Sequence, residues 1–534
     1  MPSRGAFRRR ASALRGRRRR GADRGRVDPA LLLGRARSRR LRGHAVRPRS
    51  LRAEGSQPTA HRATRPLAGA RPARGDMERG RRERWAADRA GAGGRGVKFE
   101  GPTDAELAAL AHAAGFDLSD EDRQIYGALL RGVLGAYALL DAEPDALPAP
   151  VGGERRWWVP DAADNPHNAW YVRSEISLDR LGPLAGCGVA LKDNVMVAGL
   201  PMMNGSAALE GFVPELDATL VTRLLEAGAV IQGKAHCEDL CLSAGSHTNA
   251  TGLVHNPYRF GYSAGGSSSG SAVLVACGDV KMAIGGDQGG SIRVPSALCG
   301  TVGMKPTWGL VPYTGIGPIE VTIDHTGPIT ADVRDNARML AVLAGPDGFD
   351  PRQQAGVRAG DYVAALDAGV AGLRVGVLGE GFGHPNSLSA VDDSVRAAAE
   401  RLARAGAQVV PCSVPMHRRA SALTLPLLVE GMYRTVLRDD GQGVGRSDLY
   451  VPGYQAKMRR WREHAASLSP MVVSLGLAGA YIDREFGTRY YGKAVNLARR
   501  VRAAYDEAFA SLDCLLMPTS PTTATPLPAP DAGI

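Results

Sequence analysis

Between residues 1 and 96 the chain holds 29 Arg, no Lys, seven acidic residues and only two aromatics, Phe7 and Trp85. A segment so poor in apolar side chains cannot bury enough surface to offset the conformational entropy lost on ordering it. Residues 1–96 are therefore expected to be disordered, and any fold must come from the 438 residues that follow. The same division changes the meaning of the charge. The whole chain has 66 Lys+Arg against 54 Asp+Glu, a formal net charge of +12, which alone would suggest nucleic acid or a membrane surface as a partner. The first 96 residues contribute +22, so the remainder is net −10, and it is this acidic body that must explain the function.

The leader lacks the hydrophobic region of a signal peptide: the run Ala30-Leu31-Leu32-Leu33 is short and is followed by more Arg. Arg, Ala, Gly and Pro are the residues that GC-only codons favour. Residues 1–96 therefore read as upstream sequence translated in frame, with Met77, or Val97 if its codon is GTG, as the true start. A solvated tail and a nucleic-acid-binding arm are the alternatives, the latter disfavoured. No stretch reaches the ~18 consecutive apolar residues of a membrane-spanning helix. Seven Cys, scattered from Cys187 to Cys514, make an odd and sparse set. They read as free thiols of a reducing, cytoplasmic compartment rather than a disulfide framework.

Ordered patterning starts at Thr103-Asp104-Ala105-Glu106, a capping box that opens a helix stopped by Gly115. Ser119 caps a second, longer helix. Its apolar residues Ile125, Leu129, Val133, Tyr137 and Leu140 recur every three or four positions and predict one buried stripe, packed on the body or on a second subunit. Pro144, Pro148 and Pro150 close this helical region, 97–150. From about residue 185 strands and helices alternate: strands at 189–191, 229–231, 281–284, 373–378, 408–410 and 514–517, and helices at 219–227, 269–277, 332–343 and 391–405. A largely helical stretch is expected from about 418 to 510. The alternation predicts an α/β fold whose sheet is covered on both faces.

Two loops rich in glycine and serine stand among these elements: Ser263-Ala264-Gly265-Gly266-Ser267-Ser268-Ser269-Gly270-Ser271, and Gly285-Gly286-Asp287-Gln288-Gly289-Gly290-Ser291-Ile292-Arg293-Val294-Pro295. Each abuts a regular element and can present N–H groups and hydroxyls. Neither ends in the Gly-Lys-Ser/Thr of a phosphate loop or fits a dinucleotide fingerprint.

With Lys192-Asp193-Asn194 and the run Cys299-Gly300-Thr301-Val302-Gly303-Met304-Lys305-Pro306-Thr307, these loops resemble the amidase signature family over roughly residues 100–530. The 24-residue interval from Ser267 to Ser291 agrees. Asp287-Gln288, the helical N-terminal region and Gly309-Leu310-Val311-Pro312-Tyr313-Thr314-Gly315 resemble the enantioselective, aliphatic or aryl amidases that accompany nitrile hydratases. The resemblance implies a mixed central β-sheet covered by helices in a domain spanning 151–534. It implies a catalytic triad of Ser291 as nucleophile, Ser267 as bridge, joined to Gly266 by a cis peptide, and Lys192 as base. It also implies hydrolysis of a small carboxamide to acid and ammonia through an acyl-enzyme, with no cofactor and no metal.

The chemistry needs these residue types. A serine hydroxyl is a weak nucleophile without a base. Lys192 can serve as that base only as a neutral amine, which requires a site shielded from water. The tetrahedral intermediate carries an oxyanion, and glycines at 289 and 290 let the N–H groups of Gln288, Gly289, Gly290 and Ser291 approach it. Asp287 and Arg293 read as scaffolding for the loop, and Gln288 as a residue that either touches substrate or only supports the loop. Cys237, Cys241, His247 and His255 fit no common zinc spacing; the two cysteines read as small core residues. Cys299 reads as packed beside the loop, and Trp157 and Trp158 as anchors for the linker. A glutaminase subunit of a tRNA-dependent amidotransferase would share the triad. The family usually runs several tens of residues beyond the position of Met517-Pro518-Thr519, so an end at Ile534 predicts a truncated frame, an exposed sheet edge or core surface and an incomplete substrate pocket, with an inactive truncated amidase homologue as a further alternative.

Overall fold

The computed structural model describes residues 99–153 and 155–529; segment 1–96, Met77, Val97 and Ile534 lie outside these residues. Two helices come first, α1 (Asp104–Ala114) and α2 (Asp120–Asp141), each opened by a reciprocal capping box, Thr103 with Glu106 and Ser119 with Asp122. Gly115 ends α1 at φ 81°, a left-handed cap that a Cβ would strain. The apolar stripe expected on α2 is not packed on the body: Ile125, Leu129, Val133, Tyr137 and Leu140 are 52–70% exposed in the single chain. The reason is geometric. The helix α1 has only 11 residues, and the body beyond the linker closes its cores with helices of its own.

The body is built on a seven-stranded mixed sheet of order β1-β2-β4-β3-β5-β7-β6. Its strands are β1 (Trp157–Trp158), β2 (Trp170–Ile176), β3 (Gly188–Lys192), β4 (Val230–Ala235), β5 (Met282–Asp287), β6 (Val302–Gly303) and β7 (His325–Thr330). The central strand β3 runs parallel to both β4 and β5, while β2 and β7 flank them antiparallel. Trp157 and Trp158, read as anchors for the linker, form β1 against β2.

Alternation along β3 decides what each face holds. Val189 and Leu191 join Ile231, Met282 and Ile284 in one core, closed by α3 (Thr219–Glu226) and α6 (Val333–Leu343). Ala190 joins Ala235 and Ala283 in a second core, closed by α4 (Ser269–Cys277). Small residues are needed on that second face because α4 lies so close: a Cβ on Gly270 would stand 2.3 Å from the carbonyl oxygen of Ala169. Period two then puts Lys192 on the same face as Ala190, the crowded α4 side.

Helix α5 (Arg293–Cys299) follows the second loop, and α7 (Tyr362–Ala365) leads to a smaller sheet. That sheet has order β10-β8-β9, from β8 (Arg374–Leu378), β9 (Gln408–Cys412) and β10 (Cys514–Leu516), with α8 (Ser389–Arg404) between the first two. Helices α9 (His417–Met432), α10 (Pro452–Met458), α11 (Pro470–Phe486) and α12 (Arg489–Phe509) supply the expected helical stretch, part of which closes a third core around Met202, Met432 and Tyr454. No helix among the described residues is long and apolar enough to cross a membrane.

Candidate active site

Parallel neighbours β3 and β5 end on the same side of the sheet, the usual place for a site in an open α/β sheet. Lys192 is the last residue of β3, and the loop carrying Ser291 begins where β5 ends. Leu191 pairs with Ile284, so Lys192 comes beside Gly285 and Gly286, which have no side chains to block it. Its Nζ donates to Ser267 Oγ at 2.8 Å and reaches the Gly286 carbonyl at 3.4 Å. Both Lys192 and Ser267 are fully buried.

Ser267 stands just before α4, and the Gly266–Ser267 peptide is cis. Close packing explains the glycine: a Cβ at Gly266 would lie 2.9 Å from both Glu238 Cγ and the Ser243 carbonyl. Ser268 ties the two loops together. Its N–H donates to the Ser291 carbonyl at 3.2 Å, and its hydroxyl exchanges hydrogen bonds with Gly286, accepting from the N–H at 3.1 Å and donating to the carbonyl at 3.2 Å. Ser291 is half-buried, and among the described residues no hydrogen bond joins its hydroxyl to that of Ser267.

The Asp287 carboxylate organises the second loop. It accepts from Gly290 N–H at 2.8 Å, Ile292 N–H at 3.1 Å, and the Arg293 guanidinium at 2.8 and 3.0 Å. Burial alone would raise its pKa, but the Arg293 hydrogen bonds and charge hold it below the ordinary carboxylate value. This corrects one expectation: Gly290 N–H is spent on Asp287 and is not available to an oxyanion. Asp287 and Arg293 are the loop scaffolding expected of them.

A family model described as Amidase matches residues 163–532. The chain belongs to the amidase signature family. It is similar to an enantioselective amidase of Rhodococcus rhodochrous, 48% identical over 434 residues that cover 80% of this chain and 83% of the relative. It is also similar to a glutamyl-tRNA(Gln) amidotransferase subunit of Synechococcus sp. (strain RCC307), 36% identical over 349 residues, 64% of this chain and 70% of the relative. Among solved structures it resembles the native peptide amidase of Stenotrophomonas maltophilia, with TM-score 0.55 and 33% identity, covering 65% of this chain and 72% of that one. As a member of this family the chain is an amide-hydrolysing enzyme.

The structure adds groups to this amidase site that sequence patterns did not single out. Lys234, fully buried on β4, donates to Asp193 Oδ1 at 2.9 Å, while Asp193 Oδ2 accepts Met203 N–H at 2.9 Å. Glu238 Oε2 gathers His247 N–H, Thr248 N–H and the Thr248 hydroxyl under the first loop. Cys241 and Cys237 are buried, as core residues should be, and both thiols approach Asn204 Oδ1, at 3.1 and 3.7 Å. Cys241 also lies within hydrogen-bonding reach of Lys192 and Ser267; burial pushes its thiol up, but hydrogen bonding, first of all with Cys237, brings it below the ordinary thiol value. The spacing of the two cysteines gives no hint of this contact, which depends on left-handed backbone at Leu240 (φ 48°) and Cys241 (φ 62°). His247 and His255 do not join them: His255 stacks on Phe260 with ring centroids 3.8 Å apart. Among the described residues no three His, Cys, Asp or Glu side chains gather as a metal site would require. Cys299 is buried, its thiol 3.3 Å from the Ala264 carbonyl.

Proposed function

We propose that this amidase converts a small carboxamide to its carboxylic acid and ammonia with Ser291 as nucleophile, Ser267 as proton bridge and Lys192 as base. The observation that carries the reading is the fully buried Lys192–Ser267 hydrogen bond of 2.8 Å, placed within one residue of the Ser268–Ser291 link. Neutral Lys192 draws a proton through Ser267 as Ser291 Oγ attacks the carbonyl carbon. The oxyanion is received by N–H groups of Gln288, Gly289 and Ser291; losing one such donor typically costs ~2.7–4 kcal/mol of transition-state stabilisation. The proton then passes back through Ser267 to the leaving nitrogen, ammonia departs, and water hydrolyses the acyl-enzyme on Ser291. No cofactor or metal enters these steps.

Ammonia release by the full chain from aliphatic and aryl amides, with acyl transfer to hydroxylamine, tests the reading. Ser291→Ala should abolish both; a variant indistinguishable from the parent, or a parent that releases no ammonia, refutes it. Free glutamine belongs in the panel, because the amidotransferase relatives share the fold; the wider coverage by the enantioselective relative favours small amides. The exposed stripe of α2 supports a homodimer formed through residues 97–150. Sedimentation equilibrium should give twice the chain mass for the parent and a monomer for Leu129→Glu. Seven free cysteines support a cytoplasmic location.

A further inference from the structure

Lys192 Nζ has a further hydrogen-bonding neighbour besides Ser267 Oγ at 2.8 Å and the Gly286 carbonyl at 3.4 Å. It is the thiol of Cys241, which is buried and within hydrogen-bonding reach of both Lys192 and Ser267. This thiol comes from outside the two glycine loops. Leu240 N–H donates to the Asn204 carbonyl at 3.0 Å and Cys241 N–H to the Glu238 carbonyl at 2.8 Å, turning the chain through left-handed backbone at Leu240 and Cys241. Gly205 lets the two segments meet, since a Cβ there would collide with the carbonyl oxygens of Cys237 and Glu238.

The donors and acceptors around Cys241 fix what its sulfur can do. Asn204 Oδ1 lies 3.1 Å from Cys241 Sγ and takes its only proton. The Asn204 amide is held that way round by the buried Tyr454, to which it is hydrogen-bonded. Its Nδ2 sits on the tyrosine side: Nδ2 and the Tyr454 hydroxyl are 3.5 and 3.2 Å from where a Gly317 Cβ would stand. With its S–H committed, the sulfur can only accept, as the Gly286 carbonyl can only accept. A neutral amine has two N–H groups and one lone pair. When the N–H groups go to Gly286 and Cys241, the lone pair is left facing Ser267, whose hydroxyl is the proton donor that the base draws on. Without the thiol, one N–H is free to turn onto Ser267 Oγ and the lone pair to turn away.

We propose that Cys241 is a positioning residue for the base: its sulfur, held by Asn204, accepts one N–H of neutral Lys192 and so aims the lone pair at Ser267. This role rests on the reading of Lys192 as base. It makes a demand that packing does not. Positioning needs an atom that donates to Asn204 and accepts from Lys192, which serine supplies and alanine does not. Turnover should then rank cysteine and serine above alanine, whereas packing alone gives serine no advantage over alanine.

The test measures kcat and KM for benzamide and propionamide in the full chain, Cys241→Ala, Cys241→Ser and Lys192→Ala, with Tm alongside. Cys241→Ala should lose at least about tenfold in kcat with KM within about threefold of the parent, because proton transfer uses the thiol and substrate binding does not. Cys241→Ser should keep kcat within about threefold of the parent. Turnover by Cys241→Ala within about threefold of the parent, or a loss in Cys241→Ser as large as in Cys241→Ala, overturns the proposal. Should Cys241→Ser not fold, the split in Cys241→Ala decides: a fall in kcat at constant KM sustains the role, and a loss carried by KM overturns it. Parent-like turnover in Lys192→Ala sinks the base reading and the positioning role with it. An inert Lys192→Ala beside a fully active Cys241→Ala sinks the positioning role alone.

Discussion

Asp324→Asn should make the fold more tolerant of high pH. The Asp324 carboxyl is buried, and burial pushes its pKa from the ordinary 3.8 up to about 6. Glu320 adds to the push, while the Arg352 charge, the Gln288 amide and Ile319 N–H pull the other way. A carboxyl whose folded pKa exceeds its unfolded value stabilises the fold fully only below the unfolded value, and the benefit is lost as pH rises through the folded one. Integrating between 3.8 and about 6, the cost of keeping the ionised group buried is about 0.5 kcal/mol at pH 4, about 1.6 at pH 5 and about 3 at pH 8. Asparagine has the same shape, still accepts from Gln288 and Ile319, and never ionises. Its amino group in place of Oδ2 adds a buried donor without a partner, a penalty of about 1–3 kcal/mol that does not vary with pH. The slope is therefore the observable: the stability of the variant minus that of the parent should rise by about 2.5 kcal/mol from pH 4 to pH 8. Urea unfolding at matched ionic strength across that range measures it. A difference that stays flat with pH, or falls, refutes the reasoning.

Three further substitutions probe the scaffold. Asp193→Ala leaves Lys234 buried without its carboxylate and should cost about 3–5 kcal/mol in urea unfolding; a loss below about 1 kcal/mol would contradict the pairing. Gly270→Ala forces a Cβ to 2.3 Å from the Ala169 carbonyl and should destabilise by at least about 1–3 kcal/mol, against which an unchanged Tm would count. Asp287→Ala frees Gly290 and Ile292 N–H and the Arg293 guanidinium, and should lower kcat about 10²–10³-fold with circular dichroism preserved; kcat within threefold of the parent would show that the loop holds its shape without that carboxylate.

Much of the scaffold was legible because its residues are locally consistent. Thr103 and Ser119 announce their helices through side chains that cap them, and Val189-Ala190-Leu191 can be buried only as a strand covered on both faces. Strand β7 was not legible, since Gly327 and Pro328 interrupt it and its pairing with β5 is what keeps it extended. The stripe on α2 is apolar as its spacing says, but it is not packed on the body, because periodicity reports amphipathicity and not what covers it. Lys192, Ser267 and Ser291 follow from the family resemblance rather than from any local pattern, and the structure brings Lys192 and Ser267 into direct contact. The commitment of Gly290 N–H to Asp287 was invisible, since a three-residue separation within a glycine loop does not fix where the carboxylate turns. Asp324 and Lys234 escaped notice because they reach the site from other strands and loops, and only the tertiary arrangement joins them.

Lys192 and the loop of Ser291 hang from two adjacent central strands, each hydrogen-bonded on both edges. Such strands are the last part of a sheet to open, so their amides should exchange with solvent only through global unfolding. Heat inactivation of this enzyme would then be a report on the whole body coming apart: residual activity after heating should track loss of the sheet, degree for degree, with no earlier melting of the site alone.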